Sequence, residues 1–136
     1  MAVPDTLSKL QPVVHGILRI VVGFLYWSHG AQKLLGWFGG FGDGGTADLS
    51  TRFGVAGVIE FFGGTLIMLG LFTRPVAFIT SGEMAVAYFW MHFAMGGLWP
   101  WNNRGEVVAL YSFIFLFFTV AGPGAFSLDA LLRRKK

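Results

Sequence analysis

The chain has no cysteine, so disulfides, thiolate metal sites, iron–sulfur ligation and thiol nucleophiles are excluded within it. Charge is scarce as well. Only 12% of its 136 residues are Asp, Glu, Lys or Arg, and a soluble domain carries about twice that fraction. Asp43 and Asp48 are too few to build a calcium site. No helix places two histidines at ligand spacing, so neither zinc nor haem has a ligand set and no metal is expected. The glycine-rich stretch at 39–45 lacks the Gly-Lys-Ser/Thr ending of a phosphate loop, which removes nucleotide binding. Residues 1–11 have no basic n-region and no small-x-small cleavage site, so the first apolar run reads as a retained span.

What is present is apolar. Hydrophobic residues make up 54% and aromatic residues 17%, and the mean hydropathy is +0.64. By length the chain, 1–136, is one domain. Its long apolar runs lie at about 12–35, 53–72, 76–95 and 105–121, each near the roughly 20 residues that cross a hydrocarbon core. The runs are continuous rather than alternating, which favours helices over a barrel. The expected fold is therefore all-α, an integral membrane four-helix bundle. Pro12 suits a first helical turn, where its missing N–H is harmless. Pro75 is expected to break the chain after the second span, and Gly122-Pro123-Gly124 to stop the fourth. Ser127 then caps a short leucine-rich, basic-ended segment, 127–136, expected at the membrane surface. An even number of spans puts Lys9, Arg74, Arg133, Arg134, Lys135 and Lys136 on one side, against Arg52, Arg104 and Lys33 on the other. That imbalance places both termini in the cytoplasm. The same reading makes the terminal basic cluster an orientation signal rather than a nucleic-acid site.

The informative residues are the charges inside the runs: Arg19, Glu60, Glu83 and Glu106. A central charge in a span costs about 3 kcal/mol on insertion scales and normally faces the bundle interior with a partner. Arg19 and Glu83 each lie about seven residues, roughly 10 Å, from the cytoplasmic ends of their helices. They are expected to form a structural ion pair. Glu60 lies at the level of His29 or Lys33. Glu106 begins the fourth span beside Arg104 and within reach of Lys33. His29, Lys33, Glu60, Arg104 and Glu106 thus form a candidate outer cluster for ligand or proton handling. His15 and His92 read as interfacial residues. No catalytic set can be named.

Several motifs resemble one family. Leu18-Arg19, Gly23 and His29-Gly30-x-Gln32-Lys33-Leu34 open it. Gly57-x-x-Glu60, Gly63-Gly64 and Leu69-Gly70-Leu71-x-Thr73-Arg74 follow. Asn102-Asn103-Arg104-Gly105-Glu106, Leu110-Tyr111 and Gly122-Pro123-Gly124-x-x-Ser127-Leu128-Asp129 close it. In content and order these blocks resemble the DoxX family. The resemblance implies a multi-pass protein of the bacterial inner (cytoplasmic) membrane. It also implies association with oxidoreductase assemblies, among them quinone-linked sulfur oxidation and a membrane complex for oxidative-stress defence. Without cysteine this chain cannot do thiol chemistry alone, so it is expected to be at most an accessory subunit. Its expected partners are the lipid bilayer and other membrane or peripheral redox subunits, with a quinone as the ligand of the outer cluster. Two further readings stand beside this one. One is an anchor or assembly subunit with no chemistry; the other is a small transporter or proton relay.

Overall fold

Apolar runs that satisfy their own backbone groups become helices. The computed structural model describes residues 5–136, and among these it contains no strand; a lone bridge joins Phe41 to Gly45. A short α1, Asp5–Ser8, leads into α2, Gln11–Leu35. Pro12 lies in the first turn of α2, and Gly36 ends it in the left-handed region at φ 71°. Then come α3, Arg52–Leu69, and α4, Thr73–Ala87. α4 runs without interruption into a π-helical turn, Tyr88–His92, and a last short turn, α5, Phe93–Gly96. The chain closes with α6, Pro100–Asn103, α7, Glu106–Ala121, and α8, Leu128–Arg134.

Two boundaries differ from the expectation. The second apolar run does not reach Phe72: α3 stops at Leu69 because Gly70 adopts φ 65°. The Leu71 N–H then donates back to the Leu66 carbonyl, the crossed hydrogen bond of a Schellman end. Pro75 does not break a helix. It sits in the first turn of α4, where a missing donor leaves no carbonyl unpaired. The exposed donors of that turn are capped from far away in sequence. The Asp129 carboxylate accepts from the N–H groups of Phe72 at 2.8 Å and Thr73 at 2.9 Å. Burial pushes the Asp129 carboxyl up. The Thr73 and Phe72 N–H groups and the nearby Arg133 charge outweigh it, holding the group below the usual carboxylate range.

Packing joins the helices as two close pairs. α2 lies along α3, and α4 lies along α7. Glycine lets the first pair touch backbone to backbone. A Cβ at Gly30 would stand 2.3 Å from the Phe61 nitrogen, and one at Gly64 would stand 2.6 Å from the Trp27 Cβ. The second pair exchanges hydrogen bonds: Ser81 Oγ donates to the Ser112 carbonyl at 2.7 Å, and Ser112 Oγ to the Ser81 carbonyl at 3.0 Å. Between the pairs, Tyr26, Ile67, Ala77, Phe115 and Phe118 are fully buried. α3 meets α4 closely where Gly63 faces Thr80. The outward faces stay apolar; Phe62, Phe78, Phe113 and Val120 are all exposed. Two helical runs, Asp5–Leu35 and Arg52–Leu69, are long and apolar enough to cross a membrane, and Glu106–Ala121 is a shorter apolar helix.

The α2–α3 contact yields a test. Gly64→Leu drives a branched side chain into Trp27 and is expected to destabilise the protein by about 1–3 kcal/mol. Gly82→Ala, with nothing within 4 Å of its Cβ, is expected to leave stability unchanged or slightly raised. Thermal unfolding of both variants in detergent measures the difference.

Candidate functional site

Above the Gly63–Thr80 contact α3 and α4 separate, and the space between them is a cavity of about 920 Å³. α2 and α7 supply its floor. The 3.6-residue period puts Tyr26, His29 and Lys33 of α2 on the face that looks into it. Each of the first and last meets a carboxylate on a different wall. Lys33 Nζ stands 2.6 Å from Glu60 Oε2, both side chains nearly buried at 15% and 5% exposure. The Tyr26 hydroxyl donates to Glu83 Oε2 at 3.0 Å. Two donor–carboxylate pairs thus face one space, one on α3 and one on α4. His29 lies at the rim with its ring edge toward Tyr111, centroids 6.3 Å apart. The remaining walls are apolar, with Val55, Ile59, Val86 and Val108 among them.

The mouth has its own construction. Arg52, at the start of α3, places its guanidinium 5.1 Å from the Phe53 ring centroid and 5.6 Å from that of Trp90. This cation–π contact spans from α3 to the π-helical turn. The wider turn lets Trp90, Met91 and His92 all contribute to the wall. His92 Nδ1 lies 3.0 Å from the Asn103 carbonyl, and the Tyr88 hydroxyl donates to the Leu98 carbonyl. The π turn is therefore tied to the loop that follows it.

Arg19 and Glu83 do not pair. Arg19 is fully buried, and its guanidinium donates only to backbone carbonyls. Nε reaches Ile67 at 2.9 Å, one terminal nitrogen reaches Pro123 and Ala125, and the other reaches Met68 and Phe126. The cause is register. Arg19 lies at the level of the α3 C-terminus, while Glu83 meets Tyr26, seven residues further along α2 and so about 10 Å away. The first turns of α2 overhang α3, and the chain after α7 fills that space: the Ala125 N–H donates to the Pro12 carbonyl, and His15 Nε2 lies 2.9 Å from the Gly122 carbonyl.

Arg104 and Glu106 do not join Lys33 and Glu60. Both are exposed, and neither lines the cavity or makes an ion pair among the described residues. The inward position in that loop belongs to Asn103, which is fully buried. Its amide donates to the Gly97 carbonyl and its oxygen accepts the Gly105 N–H, each at 2.8 Å. Arg104, left-handed at φ 59°, then turns the chain so that Glu106 begins α7 on the outside. Of the expected cluster, the structure brings His29, Lys33 and Glu60 to one cavity and adds Tyr26, Glu83, Arg52 and Trp90. The signal for the additions was the i, i+4, i+7 row Glu83–Ala87–Trp90, facing the Tyr26–Lys33 row of α2.

The DoxX family model matches residues 15–93. An uncharacterized protein of Haemophilus influenzae is 44% identical over 127 residues, covering 92% of this chain and 95% of its own. The inner membrane protein YqjF of Escherichia coli is 29% identical over 144 residues, covering 95% and 99%. The inner membrane protein YphA of the same organism is 29% identical over 137 residues, covering 88% and 90%. No solved structure matches the chain.

The Lys33–Glu60 geometry predicts an asymmetry. Lys33→Met leaves a nearly buried carboxylate without its cation and is expected to cost about 3–5 kcal/mol. Adding Glu60→Gln in the same chain removes the orphaned charge and is expected to restore most of that loss. Thermal unfolding of the single and double variants in detergent checks it.

Proposed function

This chain belongs to the DoxX family, and we propose that it is an inner-membrane protein whose cavity holds the ring of a membrane-soluble quinone for a redox complex. In this reading it is a single domain that crosses the bilayer four times with both termini in the cytoplasm. Support for the membrane comes from the two long apolar helices, the apolar outward faces and the names of the Escherichia coli relatives. Support for four crossings comes from the unbroken helical run over 73–96 and the apolar α7. Support for the orientation comes from Arg74, Arg133, Arg134, Lys135 and Lys136, which gather at one end, against Arg52 and Arg104 at the other.

The observation that carries the ligand reading is the α3–α4 cleft. A cavity of about 920 Å³ with apolar walls and a few convergent polar groups suits a ring-sized ligand. A quinone presents two carbonyl acceptors on a flat ring and an apolar tail. Lys33, Tyr26 and His29 can donate to such carbonyls, and Glu60 and Glu83 can exchange protons with the ring oxygens. The tail would leave past Val55, Ile79 and Val86, which are exposed on the outward side of the cleft. Electrons would pass to or from a redox subunit docked on the bundle, which makes this chain an accessory subunit.

Two measurements test the reading. A short-tailed quinone titrated into purified protein is expected to quench Trp90 fluorescence. Glu60→Gln is expected to weaken that binding roughly tenfold to a hundredfold, the value of a hydrogen bond to a charged group. Equal affinity in the variant would remove the site, and a partner that still co-purified with full activity would leave an anchor. For orientation, a C-terminal green-fluorescent fusion is expected to fluoresce and a C-terminal alkaline phosphatase fusion to be inactive. The opposite pattern would invert the assignment.

A further inference from the structure

At the opposite end of the molecule from the cleft lies a second, smaller cavity of about 310 Å³, between the start of α4 and the end of α8. Three cationic side chains line it: Arg74 from α4, and Arg133 and Lys136 from the C-terminal segment. One carboxylate lines it too, that of Asp129, whose oxygens accept the N–H groups of Phe72 and Thr73. Arg74 donates through a single terminal nitrogen to the Thr119 and Val120 carbonyls at the end of α7. That bond fixes the guanidinium at the pocket and leaves its other N–H groups without an acceptor among the described residues. Arg133 Nε also donates to the Asp129 carbonyl at 3.4 Å. The lining thus sets three cationic side chains against one carboxylate, a net positive charge on a framework held from two sides.

Its surroundings are apolar. Pro75, Pro123 and Leu132 complete the lining, and Phe72, Phe126 and Leu131 are exposed around it. Phe78 lies one turn beyond Arg74 on the same face of α4 and is 64% exposed. Cations at the base of a helix with exposed aromatic and aliphatic groups one turn above them match an anion carrying acyl chains. A small hydrophilic anion would gain nothing from Phe72 or Phe78.

We propose that this pocket binds the phosphate of an anionic phospholipid headgroup, with the acyl chains lying along the exposed face of α4. The proposal takes from the reading above only that this end of the bundle meets a membrane surface, and it is independent of any quinone. Arg74 and Arg133 grip the phosphate, Lys136 adds charge, and the Asp129 cap holds α4 and α8 at the right separation.

The test is native mass spectrometry and thermal unfolding of detergent-purified full chain titrated with phosphatidylglycerol, phosphatidylcholine or inorganic phosphate. Phosphatidylglycerol is expected to be retained and to raise the melting temperature. Phosphatidylcholine and inorganic phosphate are expected to do so weakly or not at all. Arg133→Gln with Lys136→Gln changes two exposed side chains that carry no packing, so folding is preserved. A basic residue near a lipid surface strengthens binding about fivefold, so this double variant is expected to bind phosphatidylglycerol about 25-fold more weakly. Arg74→Gln should weaken it further, with some loss of stability from the α7 contact. Equal retention of the two lipids, or full retention by the double variant, would overturn the proposal. A response to inorganic phosphate as large as that to the lipid would assign the pocket to free phosphate and overturn the lipid assignment.

Discussion

The Arg19 guanidinium is a fully buried positive charge that hydrogen-bonds to no carboxylate, and five backbone carbonyl oxygens surround it instead. A buried charge is tolerable only when its hydrogen-bonding capacity is met. Arg19 meets it with backbone carbonyls at chain ends and turns, most of which have no other donor among the described residues. Ile67 and Met68 belong to the last turn of α3, where carbonyls run short of helical donors and carry the negative end of the helix dipole; Ile67 has only the capping Gly70 N–H besides Arg19. Pro123, Ala125 and Phe126 belong to an irregular segment with no ladder of its own. One side chain thus closes three gaps, and α2, the end of α3 and the chain after α7 are drawn to a single point. Around it Gly70 passes so closely that a Cβ there would stand 2.5 Å from the Ser127 Cβ and 3.0 Å from Arg19 Cζ. Ser127 starts α8, and Asp129 of α8 caps α4. This end of the bundle is sealed as a consequence.

The other end of α2 solves the same electrostatic problem differently. Lys33 is 14 residues beyond Arg19, about 21 Å along the helix. It is neutralised by a carboxylate and left beside open space. Caged charge at one end and paired charge at the other give the molecule a closed floor and an accessible cleft. The glycine contacts of α2 with α3 keep those helices together over the whole distance. α3 and α4 meet closely at Gly63–Thr80, and the cleft lies beyond that contact. The π-helical turn widens the far wall at the same level, and the Arg52 contact with Trp90 spans the mouth.

Charge at the Arg19 end of the bundle follows from the same seal. With Asp129 capping the first N–H groups of α4, the basic residues of α4 and α8 make no ion pair among the described residues. They remain available at a surface edged with exposed Phe72 and Leu131. The capping interaction that starts α4 also sits in a pocket whose lining has three cations against one carboxylate.

Composition and periodicity determined a good deal. The apolar runs marked where the long helices lie, because a chain that must satisfy its own backbone groups has few other choices. The rare charges marked the interior faces. Glu60 and the outer part of α2 could be placed at one level by counting residues, since both helices run straight between a known start and stop. Counting failed where the partner was not a side chain. Carbonyl oxygens carry no sequence signature, so nothing in the residue types announced the cage around Arg19, and a carboxylate was assigned to it instead. It failed again where a turn set the register. Gly70 ends α3 early, Pro75 begins α4 rather than breaking a helix, and Glu83 therefore rises to Tyr26. In the loop before α7, the neutral Asn103 turned inward and the charged Arg104 and Glu106 outward, a choice made by left-handed backbone at Arg104. Residue type states what must be neutralised or buried. Only the folded chain decides which atoms do it, because that depends on distances set jointly by helices far apart in sequence.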